Sequence, residues 1–228
     1  MQINLFVNYY SDKDSDRQTE LDECFLRNVE NPLIDKIIIF ATNRDFDNAI
    51  ELLKPDELVK IRFILSDKRP TFNNYFKLFE SYNNDINIIA NSDIIIPKQT
   101  ITKINNKQFE KNTCLALTRY DTICGYWDSK DYSDATFFNR ADSQDTWIFI
   151  NCDFKGESIF GADFTLGVAG CDNKIAYLLD ENGFNIYNPS LTLQTFHLHL
   201  TKVRNYIDGL NVISVLSPYK ILIPCNIK

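Results

Sequence analysis

The fold of this chain is constrained most by an alternation in its N-terminal half, where short and nearly continuous apolar runs are separated by segments of helical period. Ile3 to Val7, Ile37 to Phe40 and Ile61 to Leu65 are such runs, and a further one leads from Asp85 into the polar triplet Asn91-Ser92-Asp93. Between them, Asp14, Ser15 or Asp16 can cap a helix carrying Leu21, Cys24, Phe25 and Val29 on one face, with Pro32 just beyond its end. Asp45 to Leu53 predicts a short second helix, and Phe72, Tyr75, Phe76 and Phe79 fall at i, i+3, i+4 and i+7 of another. Strands that are apolar throughout need cover on both faces. The pattern therefore predicts parallel pairing through right-handed crossovers, in an α/β fold with a mixed, mainly parallel central sheet flanked by helices.

With 228 residues, 44% of them hydrophobic, the chain can bury a core in a single domain spanning 1–228. Its formal net charge of -7 argues against a nucleic-acid polymer as partner, because such affinity comes from Lys and Arg on phosphates. Any phosphate bound here needs local cations or a metal. Met1 to Val7 has neither the basic start nor the long apolar region of a signal peptide, and no apolar run approaches membrane-spanning length, so a cytoplasmic location is expected. The six cysteines form no C-x-x-C pair and read as buried, reduced thiols.

Missing motifs narrow the class further. There are seven glycines, with no G-x-G-x-x-G after the first strand and no G-x-x-x-x-G-K-[ST], which disfavours Rossmann dehydrogenases and P-loop NTPases. No G-x-S-x-G occurs, and both histidines stand far from any plausible serine nucleophile, so a hydrolase triad has no support.

The candidate residues lie where the patterns break. Asn91, Ser92 and Asp93 follow a buried strand, at the end where ligands bind in open α/β sheets. Leu115 to Thr118 and Trp147 to Ile150 are strands of the second half. The stretch from Asp121 to Asp142 carries Tyr126, Trp127, Tyr132, Phe137 and Phe138, rings that suit a sugar face or staple a loop to the core. After the glycine-bearing loop Gly161 to Gly170, a helix is expected from Asp172 to near Gly183, with Asp172 either its N-cap, a general base facing a pocket, or both. His197 and His199 share one strand face with Thr195 and Thr201, opposite Phe196, Leu198 and Leu200; the pair can ligate a metal or form a solvated or hydrogen-bonded face.

Taken in order, Arg69-Pro70-Thr71-Phe72, Ile89-Ala90-Asn91-Ser92-Asp93-Ile94, Ala116 to Asp121, Ser143 to Phe149, Gly170-Cys171-Asp172-Asn173, Asn188-Pro189-Ser190 and His197-Leu198-His199 resemble the small viral and bacterial GT-A glycosyltransferases. The resemblance implies a GT-A-like single domain, with residues 1–96 binding a nucleotide diphosphate sugar and 97–228 binding a saccharide acceptor and completing a metal site. It implies Mn²⁺ or Mg²⁺ at a D-x-D motif that maps onto Asn91, Ser92 and Asp93. The first carboxylate is an amide here, so Asp93 alone carries over as an anionic ligand, with His197 and His199 as further metal candidates and Asn91 free to bond the donor ribose or sugar.

The same resemblance seats the nucleotide base at Asn8, Tyr9 and Tyr10. Arg69 can reach the base or diphosphate or be an ordinary surface arginine; Arg119 and Asp121 can touch the donor or pair with each other. Asp145 and Asp172 are the candidates for orienting sugar hydroxyls and activating the acceptor. The expected function is metal-dependent transfer of a sugar, UDP-linked by preference, to a saccharide hydroxyl. The alternatives are a non-catalytic carbohydrate-binding or interaction module and a sugar-nucleotide pyrophosphorylase, which normally carries a basic glycine-rich loop where this chain reads Asn8-Tyr9-Tyr10-Ser11-Asp12.

Overall fold

The computed structural model describes residues 1–122, 132–154, 159, 161–198, 201 and 215–227. Strand β1 (Ile3–Asn8), helix α1 (Ser15–Val29), β2 (Lys36–Ala41), α2 (Asn43–Leu52), β3 (Ile61–Leu65), α3 (Phe72–Phe79) and β4 (Ile86–Ala90) realise the predicted alternation. There follow β5 (Ile94–Ile95), α4 (Lys98–Asn105), β6 (Thr113–Leu117), β7 (Tyr120–Thr122), β8 (Thr136–Phe137), β9 (Thr146–Ile150), α5 (Cys171–Glu181), β10 (Asn185–Tyr187) and β11 (Phe196–Leu198).

The main sheet has seven strands in the order β10-β6-β9-β4-β1-β2-β3. Only β9 runs antiparallel to its neighbours, β4 and β6; the other adjacent pairs are parallel. Alternate side chains of each strand feed separate cores. Phe6, Ile38, Ile89, Trp147 and Phe149 face α3, whose Phe72, Phe76 and Phe79 are wholly buried against them. Leu5, Ile37, Ile39 and Ile88 face the opposite layer with Phe25 and Val29 of α1. Edge-to-face ring pairs such as Phe6 with Phe79, centroids 4.8 Å apart, and Phe79 with Phe149, at 5.3 Å, add about 0.5–1.5 kcal/mol each beyond area burial.

Helix starts follow from local side chains. Asp14 caps α1, accepting from the backbone N–H of Asp16 and Arg17. Thr42 caps α2, which therefore begins at Asn43, ahead of the predicted Asp45, and Thr71 with Asn74 forms a reciprocal capping box on α3. The predicted cap of α5 is corrected: the cap is Gly170, and Asp172 lies in the first turn without capping. Gly170 has φ of 80°, and an added Cβ would come within 2.8 Å of the Val215 carbonyl oxygen, so only glycine fits. Freed from capping, the Asp172 carboxylate is left for the cleft.

A second sheet, in the order β5-β11-β7-β8, was not foreseen. Its β5 and β8 have two residues each, too short to show a period. Within the expected aromatic loop, Tyr132 stacks on Phe196 with centroids 3.9 Å apart and Tyr120 packs on Phe137 at 4.9 Å, so these rings act as staples. Tyr126 and Trp127 lie outside the described residues. Cys24, Cys114, Cys152 and Cys171 are buried free thiols, as expected, and Cys225 is a half-buried one; Cys124 lies outside the described residues. No described helix is long and apolar enough to cross a membrane.

Candidate functional site

The C-terminal ends of β1, β2, β3, β4 and β6 open on one edge of the sheet, and β9, being antiparallel, enters from that same edge. A cleft of about 810 Å³ lies there. Asn8, Tyr9, Tyr10, Arg69, Asn91, Ser92, Asp93, Arg119, Asp145, Asp172 and His197 all line it. Asp121 is not among the lining residues, and His199 lies outside the described residues.

The triplet is fixed from both sides. Ser92 Oγ donates to the carbonyl of Asn8, tying the turn after β4 to the end of β1. Asn91 donates from its backbone to the Asp145 carbonyl at 3.0 Å and from its amide to Asp145 Oδ1 at 2.9 Å. Asp93 Oδ2 accepts from Arg17 Nη2 and faces His197 Nε2 at 3.2 Å. The other ring nitrogen, His197 Nδ1, faces Asp121 Oδ1 at 2.8 Å. Asp121 Oδ1 also accepts from Arg119 Nε at 2.8 Å, and Arg119 Nη1 reaches Asp145 Oδ2 at 3.0 Å. Arg119 and Asp121 thus form an ion pair within a line of charges running from Arg17 to Asp145, and Arg119 also lines the cleft.

These charges set the proton affinities. Burial opposes ionisation of Asp93, yet the adjacent His197 and Arg17 hold its carboxyl well below the usual carboxylate range. Burial also disfavours a charged His197, but Asp93 and the hydrogen bond to Asp121 push it up to about 9. Asp172 behaves oppositely. Burial, and then the neighbouring Asp145 carboxylate, raise it to about 7.

Whether a divalent cation fits can be judged from the donors. Among the described residues no three His, Cys, Asp or Glu side chains converge on a metal position. Asp93 Oδ2 and His197 Nε2 are 3.2 Å apart, in direct hydrogen-bond contact. His197 meets a second carboxylate, Asp121, on its far nitrogen. His197, raised to about 9 between these two carboxylates, is protonated at neutral pH, and Asp93 Oδ2 also accepts from Arg17 Nη2, so the pair does not by itself make a metal position.

No protein-family model matches the chain, and no curated protein matches it in sequence. Solved structures with a similar course of the chain include a Bacillus anthracis protein assigned as a glucose-1-phosphate thymidylyltransferase, solved with sucrose. It is 8% identical, with 82% of this chain and 87% of that one covered and a TM-score of 0.48. HddC from Yersinia pseudotuberculosis is 12% identical over 66% of this chain and 77% of its own, with a TM-score of 0.42. Mannose-6-phosphate isomerase from Helicobacter pylori is 21% identical over 51% of each chain, with a TM-score of 0.39. Nothing about chemistry follows from likenesses this distant.

Several lining residues escape sequence reasoning. Arg17 is 5% exposed and donates to Glu20 Oε2 at 2.8 Å as well as to Asp93. The available signal was its spacing, since it shares a helix face with Leu21, Cys24 and Asn28, where a charge must find a buried partner. Asp45 accepts from Ser11 and Thr42 and lines the cleft together with Tyr9. Lys68 lines the cleft beside the expected Arg69; both are exposed and without an ion pair among the described residues, and an added Cβ on Gly167 would fall 2.9 Å from Arg69 Nη2.

Proposed function

We propose that the chain is a glycosyltransferase that moves a sugar from a nucleoside diphosphate sugar to a hydroxyl of a saccharide acceptor. The observation that carries this reading is the pairing, across one cleft, of a carboxylate held as an anion beside an imidazole, Asp93 with His197, and a carboxylate titrating near neutrality, Asp172. Such divergence of two acidic groups is how one site separates charge stabilisation from proton transfer.

In this reading residues 1–96 bind the donor, with Asn8, Tyr9 and Tyr10 seating the base and Lys68 and Arg69 facing the diphosphate. Mn²⁺ brought in with the donor diphosphate would take Asp93 as a carboxylate ligand, and His197 once that ring gives up its proton, and would supply charge neutralisation on the departing diphosphate. Residues 97–228 bind the acceptor. Asp172 takes the proton of the acceptor hydroxyl as its oxygen bonds to the anomeric carbon and the bond to the diphosphate breaks, releasing the nucleoside diphosphate. A base with affinity near pH 7 is matched to that task. Asp145, already paired with Arg119 and Asn91, positions Asn91 and tunes Asp172 and does not itself take the proton. His199 has no role in this account.

Release of UDP from UDP-sugars in the presence of Mn²⁺ is the first test, extended to other bases if UDP donors are inert. Nucleoside diphosphate release that rises with a saccharide acceptor is expected. Pyrophosphate exchange in its place would identify a pyrophosphorylase, and binding of sugars without turnover a carbohydrate-binding module; either overturns the proposal.

A further inference from the structure

Cys171 opens α5, lines the cleft and is 1% exposed, and no step of the transfer above uses it. We propose that Cys171 is a positioning residue, whose thiol donates to Asp172 Oδ1 and so leaves the other carboxylate oxygen, Oδ2, to take the proton of the acceptor hydroxyl. The proposal rests on the reading of Asp172 as the base and deepens it.

The loop before α5 sets the thiol. Gly167 and Gly170, with φ of 73° and 80°, fold the chain back so that the Cys171 backbone N–H reaches the Val168 carbonyl at 3.1 Å. The backbone N–H groups of Gly167 and Val168 donate to the Cys171 sulfur, which occupies its acceptor capacity. The thiol proton is left to point elsewhere, and Sγ lies 3.2 Å from Asp172 Oδ1. Burial, and then the Asp172 charge, push the thiol well above its ordinary range, so it keeps that proton at neutral pH. A thiol is a weak donor in water, but this one is withdrawn from water and its acceptor becomes an anion when Asp172 ionises.

An oxygen that already accepts a hydrogen bond is the poorer base of the two in a carboxylate. Holding Oδ1 therefore fixes the plane of the group and directs an arriving proton to Oδ2. The groups facing Asp172 oppose one another: burial and the Asp145 carboxylate favour its neutral form, whereas the Cys171 thiol, the Gln144 backbone N–H and Arg119 favour the anion.

The test uses the full chain with two substitutions at one position. Alanine and serine both remove the bulk of the sulfur, but only serine keeps a donor. The readouts are carboxyl ¹³C titration of Asp172 and kcat for sugar transfer against pH. Cys171→Ala should move the Asp172 midpoint up by about 0.5 and lower kcat about threefold near pH 6, whereas Cys171→Ser should titrate at or below the wild-type midpoint. A wild-type midpoint in Cys171→Ala, or an equal rise in both variants, overturns the proposal; if Cys171→Ala does not fold, a midpoint in Cys171→Ser above wild type overturns it. Lost turnover in Asp172→Asn beside a wild-type pH profile in Cys171→Ala sinks this proposal and leaves the transferase reading standing. A midpoint that follows the donor at position 171, in a protein that turns over no nucleotide sugar, supports the pairing and sinks the transferase reading alone.

Discussion

The two rims of the cleft hold the same functional group in opposite states. Asp93 sits between Arg17 and His197 and is kept ionised; Asp172, half-buried at the start of α5 with Asp145 nearby, holds its proton up to about pH 7. Neither state is a property of aspartate. The first rim draws its cations from elements far apart in sequence, α1 and β11, whereas the second has burial and a like charge that Arg119 only partly offsets. The contrast assigns roles that residue type alone leaves open.

The contrast can be broken from several directions. The largest effect is expected from Asp172→Asn, which should lower kcat for sugar transfer about 10²–10⁴-fold and abolish the rise of activity through about pH 7 expected of wild type. Steady-state kinetics across pH 5–9 measures both, and wild-type kcat in the variant would remove Asp172 as the base. Phe76→Ala comes next. It empties the centre of the ring cluster beneath the sheet, touches neither rim, and should cost about 3–5 kcal/mol in denaturant unfolding while Mn²⁺ affinity of the folded protein is kept.

A smaller effect is expected of Arg119→Lys, because an ammonium cannot bridge Asp121 and Asp145 as the planar guanidinium does. A loss of about 1.5 kcal/mol, roughly tenfold in kcat/KM, follows from one charged hydrogen bond. Full activity would show that the rims are uncoupled. The smallest signal is in stability. Since the Asp172 pKa is raised above its unfolded value of about 3.9, its favourable contribution is complete below that pH and disappears as pH rises through about 7. The melting-temperature gap between Asp172→Asn and wild type should therefore widen from pH 4 to pH 7 and then level off; a constant gap would place Asp172 in ordinary solvent.

Much of the framework was legible because its signals are local. Wholly apolar strands such as Ile37 to Phe40 declare burial on both faces, and the ring spacing from Phe72 to Phe79 declares α3. The site was legible only where polar residues border an apolar run, as at Asn91-Ser92-Asp93, which ends one, and Asp145, which precedes one. Arg17 was hidden because a first-turn arginine on an amphipathic helix looks like any surface charge until its partner, Asp93, is brought from 76 residues away. The relation of Asp121 to His197 was hidden likewise, since it depends on a strand pairing between residues whose elements are three residues long. Asp172 illustrates the third kind of gap. Its place near a helix start was readable, but that Gly170 takes the cap depends on a tertiary approach by Val215.

The claim that the rims divide the work, metal and diphosphate on one and proton transfer on the other, is tested most directly by titrating Mn²⁺ into wild type, Asp93→Asn and Asp172→Asn with UDP present. The account predicts Mn²⁺ binding in wild type and Asp172→Asn at similar affinity, and its loss in Asp93→Asn. Equal Mn²⁺ affinity in Asp93→Asn and wild type, or its loss in Asp172→Asn instead, would contradict it.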